Sequence, residues 1–244
     1  MTGRPGLRRF LQPPADVAPP GPRAAAPAAT ARAGPGSPAA PPRGDMAPGP
    51  APGQAEEVCE MCAAPVGPVH SHVADLEQST LACTCRACYL LFTDPGAGRG
   101  RYRAVPERYL HDPARPLTAA EWAELDVPVG LAFFLNSSRL GHVCGFYPSP
   151  AGATECTLDL EAWARLGEAH PLLAIPEDDV EAVLVNRTDG GVECFLVPID
   201  ACYELAGRMR LLWQGFDGGA EARQSIAEFL DTVRTCAREL AREP

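Results

Sequence analysis

Cys59-Glu60-Met61-Cys62 and Cys85-Arg86-Ala87-Cys88 are two C-x2-C pairs separated by 22 residues. This is the ligand pattern of a four-thiolate metal site. A tight turn with two intervening residues points both sulfurs one way, and two such turns close a tetrahedron around one ion. Zinc is the expected ion, with Cys59, Cys62, Cys85 and Cys88 as its ligands. A segment of about 40 residues gains too little from its own core, so a bound metal would supply its folding energy. Iron in a rubredoxin-like site is the alternative, since it uses the same ligand count and geometry and would make the chain an electron carrier. Against iron, neither pair is followed by the glycine that rubredoxin turns favour; Ala63 and Tyr89 stand there.

Three neighbours complicate the ligand set. Cys83 precedes the second pair as Cys83-Thr84-Cys85, and His70 and His72 lie on a predicted strand. Alternation along that strand puts both histidines on one face, within reach of a metal. Either histidine, or Cys83, is a possible substitute for one of the four thiolates. The plainer reading makes Cys83 a small core residue and leaves the histidines exposed.

The elements that must position these ligands are short. Residues 70–76 and 79–83 read as two strands joined at Glu77-Gln78, and Tyr89-Leu90-Leu91-Phe92 continues as a strand or a first helical turn. Turn, hairpin, turn is the plan of a zinc ribbon or treble clef, a module covering 56–95. Gly96 to Arg101 alternates glycine with small residues and arginine, and reads as a linker.

From 100 to 244 the pattern changes to a larger α+β body. Leu117-Thr118-Ala119-Ala120-Glu121-Trp122 carries a helix start: Thr118 and Glu121 form a capping box and Leu117 staples onto Trp122. Pro128 ends that helix. Segments 129–136 and 142–147 form one predicted hairpin, and 180–186 and 192–197 a second around Thr188-Asp189-Gly190-Gly191. A helix over 158–168 lies between them, capped by Thr157 or Asp159. Asp200 is expected to cap a helix carrying Cys202, Leu205, Ala206, Met209, Leu212 and Trp213 on one face. A last helix carries Ile226, Phe229, Leu230, Val233, Ala237 and Leu240. Hairpin, helix, hairpin, two helices predicts a four-stranded antiparallel sheet backed by helices. The stretch 147–155, stiffened by Pro148 and Pro150, reads as a crossover loop and a candidate docking surface.

The sequence holds no strand-linked GxGxxG, no GxxxxGK[ST], no GxSxG, no HExxH, and no HxE with PCxxC, so no catalytic residue is assigned and the chain is expected to be non-enzymatic. Glu177-Asp178-Asp179 reads as a solvated loop start. Five further cysteines, at 144, 156, 194, 202 and 236, are scattered singly and read as small hydrophobes.

Composition narrows the class further. With 46% apolar residues the chain can build a core, yet it has no run of about 18 apolar residues able to cross a membrane as a helix. Residues 1–55 hold 14 of the 27 prolines and no cysteine, which predicts a disordered tail. Six arginines against Asp16 and Asp45 give this tail +4, leaving −14 on the rest of a chain whose total is −10. Such an acidic remainder disfavours a nucleic-acid-binding zinc ribbon. Arg8-Arg9 lacks the hydrophobic stretch a twin-arginine signal requires, so the expected location is the cytoplasm, where cysteines stay reduced. Leu7, Phe10 and Leu11 could anchor on a partner, and Met46 is an alternative start.

Cys59-x-x-Cys62, Leu81-Ala82-Cys83-Thr84-Cys85-Arg86-Ala87-Cys88, Arg101-Tyr102-Arg103, Val129-Gly130-Leu131-Ala132-Phe133-Phe134, 146–155, Leu196-Val197-Pro198-Ile199-Asp200 and Leu7-Arg8-Arg9-Phe10 together resemble an uncharacterised actinobacterial family. The resemblance is to companion proteins encoded beside high-affinity actinobacterial-type [NiFe]-hydrogenase genes. The resemblance implies an accessory protein whose partners are hydrogenase subunits or maturation factors. It implies no catalytic residue.

Overall fold

The computed structural model describes residues 57–94, 96–215 and 218–241. The predicted tail, with its Leu7–Leu11 stretch, lies outside the described residues. No helix among the described residues is long and apolar enough to cross a membrane.

A small sheet comes first. Strands β1 (Ser71–Asp75) and β2 (Thr80–Thr84) form the expected hairpin, with His72 opposite Cys83 and Ala74 opposite Leu81. Its turn is fixed by Asp75, whose Oδ1 accepts the amides of Glu77 and Gln78 at 3.1 Å each. Strand β3 (Tyr102–Ala104) pairs with the other edge of β1, giving the order β2-β1-β3. Helix α1 (Arg86–Leu90) follows β2, deciding the sequence ambiguity at Tyr89-Leu90 in favour of a helical turn.

The body sheet has seven strands, not the expected four. They are β4 (Leu110–His111), β5 (Leu131–Ser137), β6 (His142–Ser149), β7 (Gly152–Cys156), β8 (Glu181–Thr188), β9 (Gly191–Pro198) and β10 (Arg238–Glu239), in the order β10-β4-β9-β8-β5-β6-β7. The two predicted hairpins form its centre, β9-β8-β5-β6. Around them lie two-residue strands at one edge, with β10 parallel to β4, and β7 at the other. Residues 147–155 are therefore not a crossover loop but the tip of the β6–β7 hairpin. Pro148 is tolerated because β5 pairs with β6 only as far as Phe146, so no ladder bond is lost on that side.

The sheet is covered on both faces. Phe133 of β5 and Ala182, Leu184 of β8 face one core with Leu205, Phe229 and Val233. The last three belong to helices α5 (Ile199–Leu212) and α6 (Gly219–Cys236). Ala132, Phe134, Val183 and Val185 face the other with Trp122, Trp163 and Leu166. These come from α2 (Ala119–Glu124) and α3 (Leu160–Ala169), which runs into the short α4 (Pro171–Ala174). Period-two alternation along β5 and β8 thus sorts side chains into two cores. The Thr118–Glu121 capping box forms, and Asp159 caps α3 through the amides of Glu161 and Ala162.

Helix α6 stops at Cys236, earlier than its hydrophobic spacing suggests, because the chain leaves it to pair β10 with β4; Leu240 lies beyond the helix and Cys236 is exposed. The Glu177-Asp178-Asp179 run is not simply solvated: Arg103 of β3 reaches Glu177 Oε2 at 2.9 Å and the Asp178 carbonyl at 3.0 Å.

The small sheet leans on the body. Ala74, Leu81 and Cys83 belong to the same buried cluster as Phe133, Leu184 and Leu205. His72 is opposite Cys83 and Ala74 opposite Leu81, so the face carrying His72 and Cys83 is the face turned to the body.

Candidate metal centres

The structure brings together all four predicted ligands. Their sulfurs lie within 4.8 Å of one another, and Cys62 Sγ is 3.7 Å from Cys85 Sγ. A tetrahedral ion with metal–sulfur bonds of about 2.3 Å has sulfur–sulfur edges of about 3.8 Å, so that pair already stands at coordination distance.

The first pair sits in a closed turn. Cys59 N donates to the Ala64 carbonyl and Ala63 N to the Cys59 carbonyl, both at 2.8 Å, and Val58 bridges Pro65. Ala63, after the second cysteine, has φ 59°, the left-handed conformation glycine favours. The absence of a glycine there does not change the turn. The second pair is built differently: Cys85 is the N-cap of α1 and Cys88 lies in its first turn. Glu60 joins the two halves, with its amide on the Cys83 carbonyl at 2.8 Å and its Oε1 accepting the Cys83 amide at 3.3 Å.

The electrostatics of the cluster call for a cation. Burial opposes ionisation of Cys59, but the backbone of Cys85, Cys62 and Met61 at its sulfur brings it down to about 6. Cys88 is pushed up to about 12, first by the adjacent Cys62 sulfur and then by burial. Four thiolates cannot coexist at this spacing without a positive ion between them. The donor set and its spacing fit one thiophilic metal.

His70, His72 and Cys83 do not join this cluster. They form a second group whose ligand atoms also lie within 4.8 Å of one another. The two rings are 4.8 Å apart. His70 Nδ1 is 2.8 Å from the Gly67 carbonyl, and His72 Nδ1 is 2.8 Å from Asp200 Oδ2. Asp200 does not cap α5 as its position suggests: Pro198 is the N-cap, and the Asp200 carboxylate turns to His72 instead. Burial works against charging His72, but Asp200 and then Cys83 outweigh it and hold it up to about 9. Burial alone would raise the Cys83 thiol; His70 and His72 more than offset this and bring it down to about 7. Sequence spacing identified all three residues but not that they stand apart. The cross-strand pairing of His72 with Cys83 is what separates them.

The remaining cysteines make no third cluster among the described residues, and none of the ten is in a disulfide. Cys144 and Cys202 are buried, as expected of small hydrophobes, whereas Cys156 and Cys194 are half-buried.

No curated protein matches the chain, and no solved structure does. A family model matches residues 58–237, which takes in both cysteine pairs, the histidines and nearly all of the body. The chain belongs to that family, a family of unknown function (DUF5947).

Proposed function

We propose that this chain is a non-enzymatic accessory protein in which a structural zinc ion, held by Cys59, Cys62, Cys85 and Cys88, fixes a treble-clef-like module on an α+β body. The observation that carries the reading is the convergence of four sulfurs within 4.8 Å, with Cys62 and Cys85 at 3.7 Å. A turn bearing one pair and a helix N-terminus bearing the other favour zinc over rubredoxin-type iron, whose site is built from two matching turns. The ion's role is to hold the turn, the hairpin and α1 in one arrangement, supplementing the small core of Val73, Tyr89 and Ala104.

The protein acts in the cytoplasm by binding another protein, and the sequence resemblance points to [NiFe]-hydrogenase subunits or their maturation factors. The edge strand β7 offers free backbone for such a partner. Protein purified from cells should carry zinc that Cys85→Ser reduces by one equivalent per chain, with no visible thiolate-to-iron absorption. A red protein with stoichiometric iron would replace the zinc assignment with an electron carrier. Tagged protein drawn from its native host under hydrogen-oxidising conditions should retain hydrogenase subunits or maturation factors. Their absence from the eluate would remove hydrogenase as the partner.

A further inference from the structure

We propose that His70, His72 and Cys83 form a second metal site, distinct from the four-cysteine cluster, for a borderline divalent ion of the zinc class. A carbonyl oxygen only accepts, so the 2.8 Å contact of His70 Nδ1 with Gly67 fixes the proton on Nδ1. The Asp200 carboxylate fixes His72 in the same way. A metal-bound imidazole is neutral, and in that state Nε2 of each ring is a bare lone pair; both Nε2 atoms are buried without a hydrogen-bond partner. The His70 side chain is only 5% exposed.

Cys83 faces both rings, and a thiol carries one proton. With neutral rings it satisfies one of the two nitrogens at most, and the metal-free alternative is to bury a charged imidazolium beside the thiolate. A divalent ion satisfies two lone pairs and a thiolate at once. An imidazole that donates its far N–H to a carboxylate or a carbonyl is the usual support of a metal-bound histidine, and here both rings have such a support. One sulfur and two imidazoles are a donor set for zinc or a neighbouring divalent metal, not for calcium or magnesium.

The same residues could be read as a Cys-His-Asp nucleophile. Cys83 is 1% exposed, and a nucleophile must be reached by its substrate. The burial that argues against attack suits a bound ion. His70, His72 and Asp200 also border a cavity of ≈ 620 Å³, with Arg86, Glu107 and Tyr109 on its wall. The cavity borders the two rings and Asp200 but is not lined by Cys83.

The site joins the two parts of the molecule. His70, His72 and Cys83 come from the hairpin, while Asp200 lies in the first turn of α5, on the body. An ion there ties the module to the body, whereas the four-cysteine ion ties the module to itself.

Metal content of the full chain tests this. Saturated with zinc and freed of excess, the wild type should hold two equivalents, and the His70→Gln/His72→Gln double variant one. Cys85→Ser removes the other equivalent, so failure of one site is distinguishable from failure of its neighbour. In the cobalt-loaded protein, Cys83→Ser should remove about one-fifth of the thiolate charge-transfer intensity, one sulfur of five. Asp200→Asn keeps all three donors and should weaken the second equivalent roughly ten- to a hundredfold in competition with a chromophoric chelator. X-ray absorption of the zinc-saturated wild type needs no variant: the average ion should have both sulfur and nitrogen neighbours. A single equivalent in the wild type, an all-sulfur zinc environment, or unchanged metal content in the double histidine variant would overturn the proposal.

Discussion

The module and the body of this chain are held together by different physics. In the body, Phe134, Leu184, Leu196, Leu205 and Met209 are fully buried, and β8 is covered on both faces by helices. The module's own cluster is Val73, Tyr89 and Ala104, edged by Met61, Phe92 and Tyr102. Ala74, Leu81 and Cys83 add packing against the body, and the rest of its order comes from directed links. Arg101 binds Asp75 at 2.7 Å, Arg103 crosses to Glu177, and seven cysteine and histidine side chains able to hold metal converge in two groups. Stability that scales with apolar area is spread over many residues and survives the loss of one. Stability that rests on a few links fails when one ligand goes.

The contrast is sharpest at a ligand. Cys59→Ser should leave one sulfur missing from the tetrahedron and release the module from its metal. Amide protection in β1 and β2 should fall roughly a hundredfold or more, with much smaller change in β8 and β9, as read by hydrogen exchange. Phe134→Ala reverses the pattern. That ring packs 4.6 Å from Trp163 and 6.1 Å from Trp122 by centroid. Its loss should cost about 3–5 kcal/mol of global stability in urea unfolding and leave zinc content unchanged.

A smaller effect is expected at Gly145, where an added Cβ would lie 2.9 Å from Cys156 Sγ and 3.2 Å from the Phe134 ring. Gly145→Ala should cost about 1–3 kcal/mol by overpacking. Adding Cys156→Ala should recover part of this, since it removes the nearer atom.

The smallest effect is a pH dependence confined to the body. His170 at 2.9 Å, and then Thr118, hold Glu121 down to about 2 from an ordinary 4.5. A depressed carboxyl contributes stability that is complete above the ordinary value and is lost as pH falls from about 4.5 toward 2. Glu121→Gln should flatten that part of the stability–pH curve relative to wild type while leaving metal content at neutral pH unaltered.

Local signals were legible in the sequence. The two C-x2-C pairs, the Thr118–Glu121 box and the Asp189-Gly190 turn each depend on residues a few positions apart. What could not be read is non-local. Strands of two or three residues, such as β4 and β10, have no periodicity of their own and exist because distant segments meet. Asp200 has the residue type and position of a helix cap, and only the packing of α5 against the hairpin shows that it serves His72. Pro148 argues for a loop, and only the register shows that the pairing of β5 with β6 stops at Phe146. The histidines were recognised as metal-capable, but their separation from the four cysteines is set by strand pairing. Likewise, the missing glycine after Cys62 counts in the sequence against a rubredoxin-type iron turn, whereas Ala63 adopts the left-handed conformation itself.

On the proposed reading the module depends on its bound metal more than on the small cluster of Val73, Tyr89 and Ala104. Hydrogen exchange on the full wild-type chain, before and after zinc removal by a strong chelator, tests it most directly. Residues 57–92 should lose protection together, β5, β8 and β9 should stay protected, and added zinc should restore the module. Unchanged protection across 57–92 in verified metal-free protein would contradict that dependence on metal.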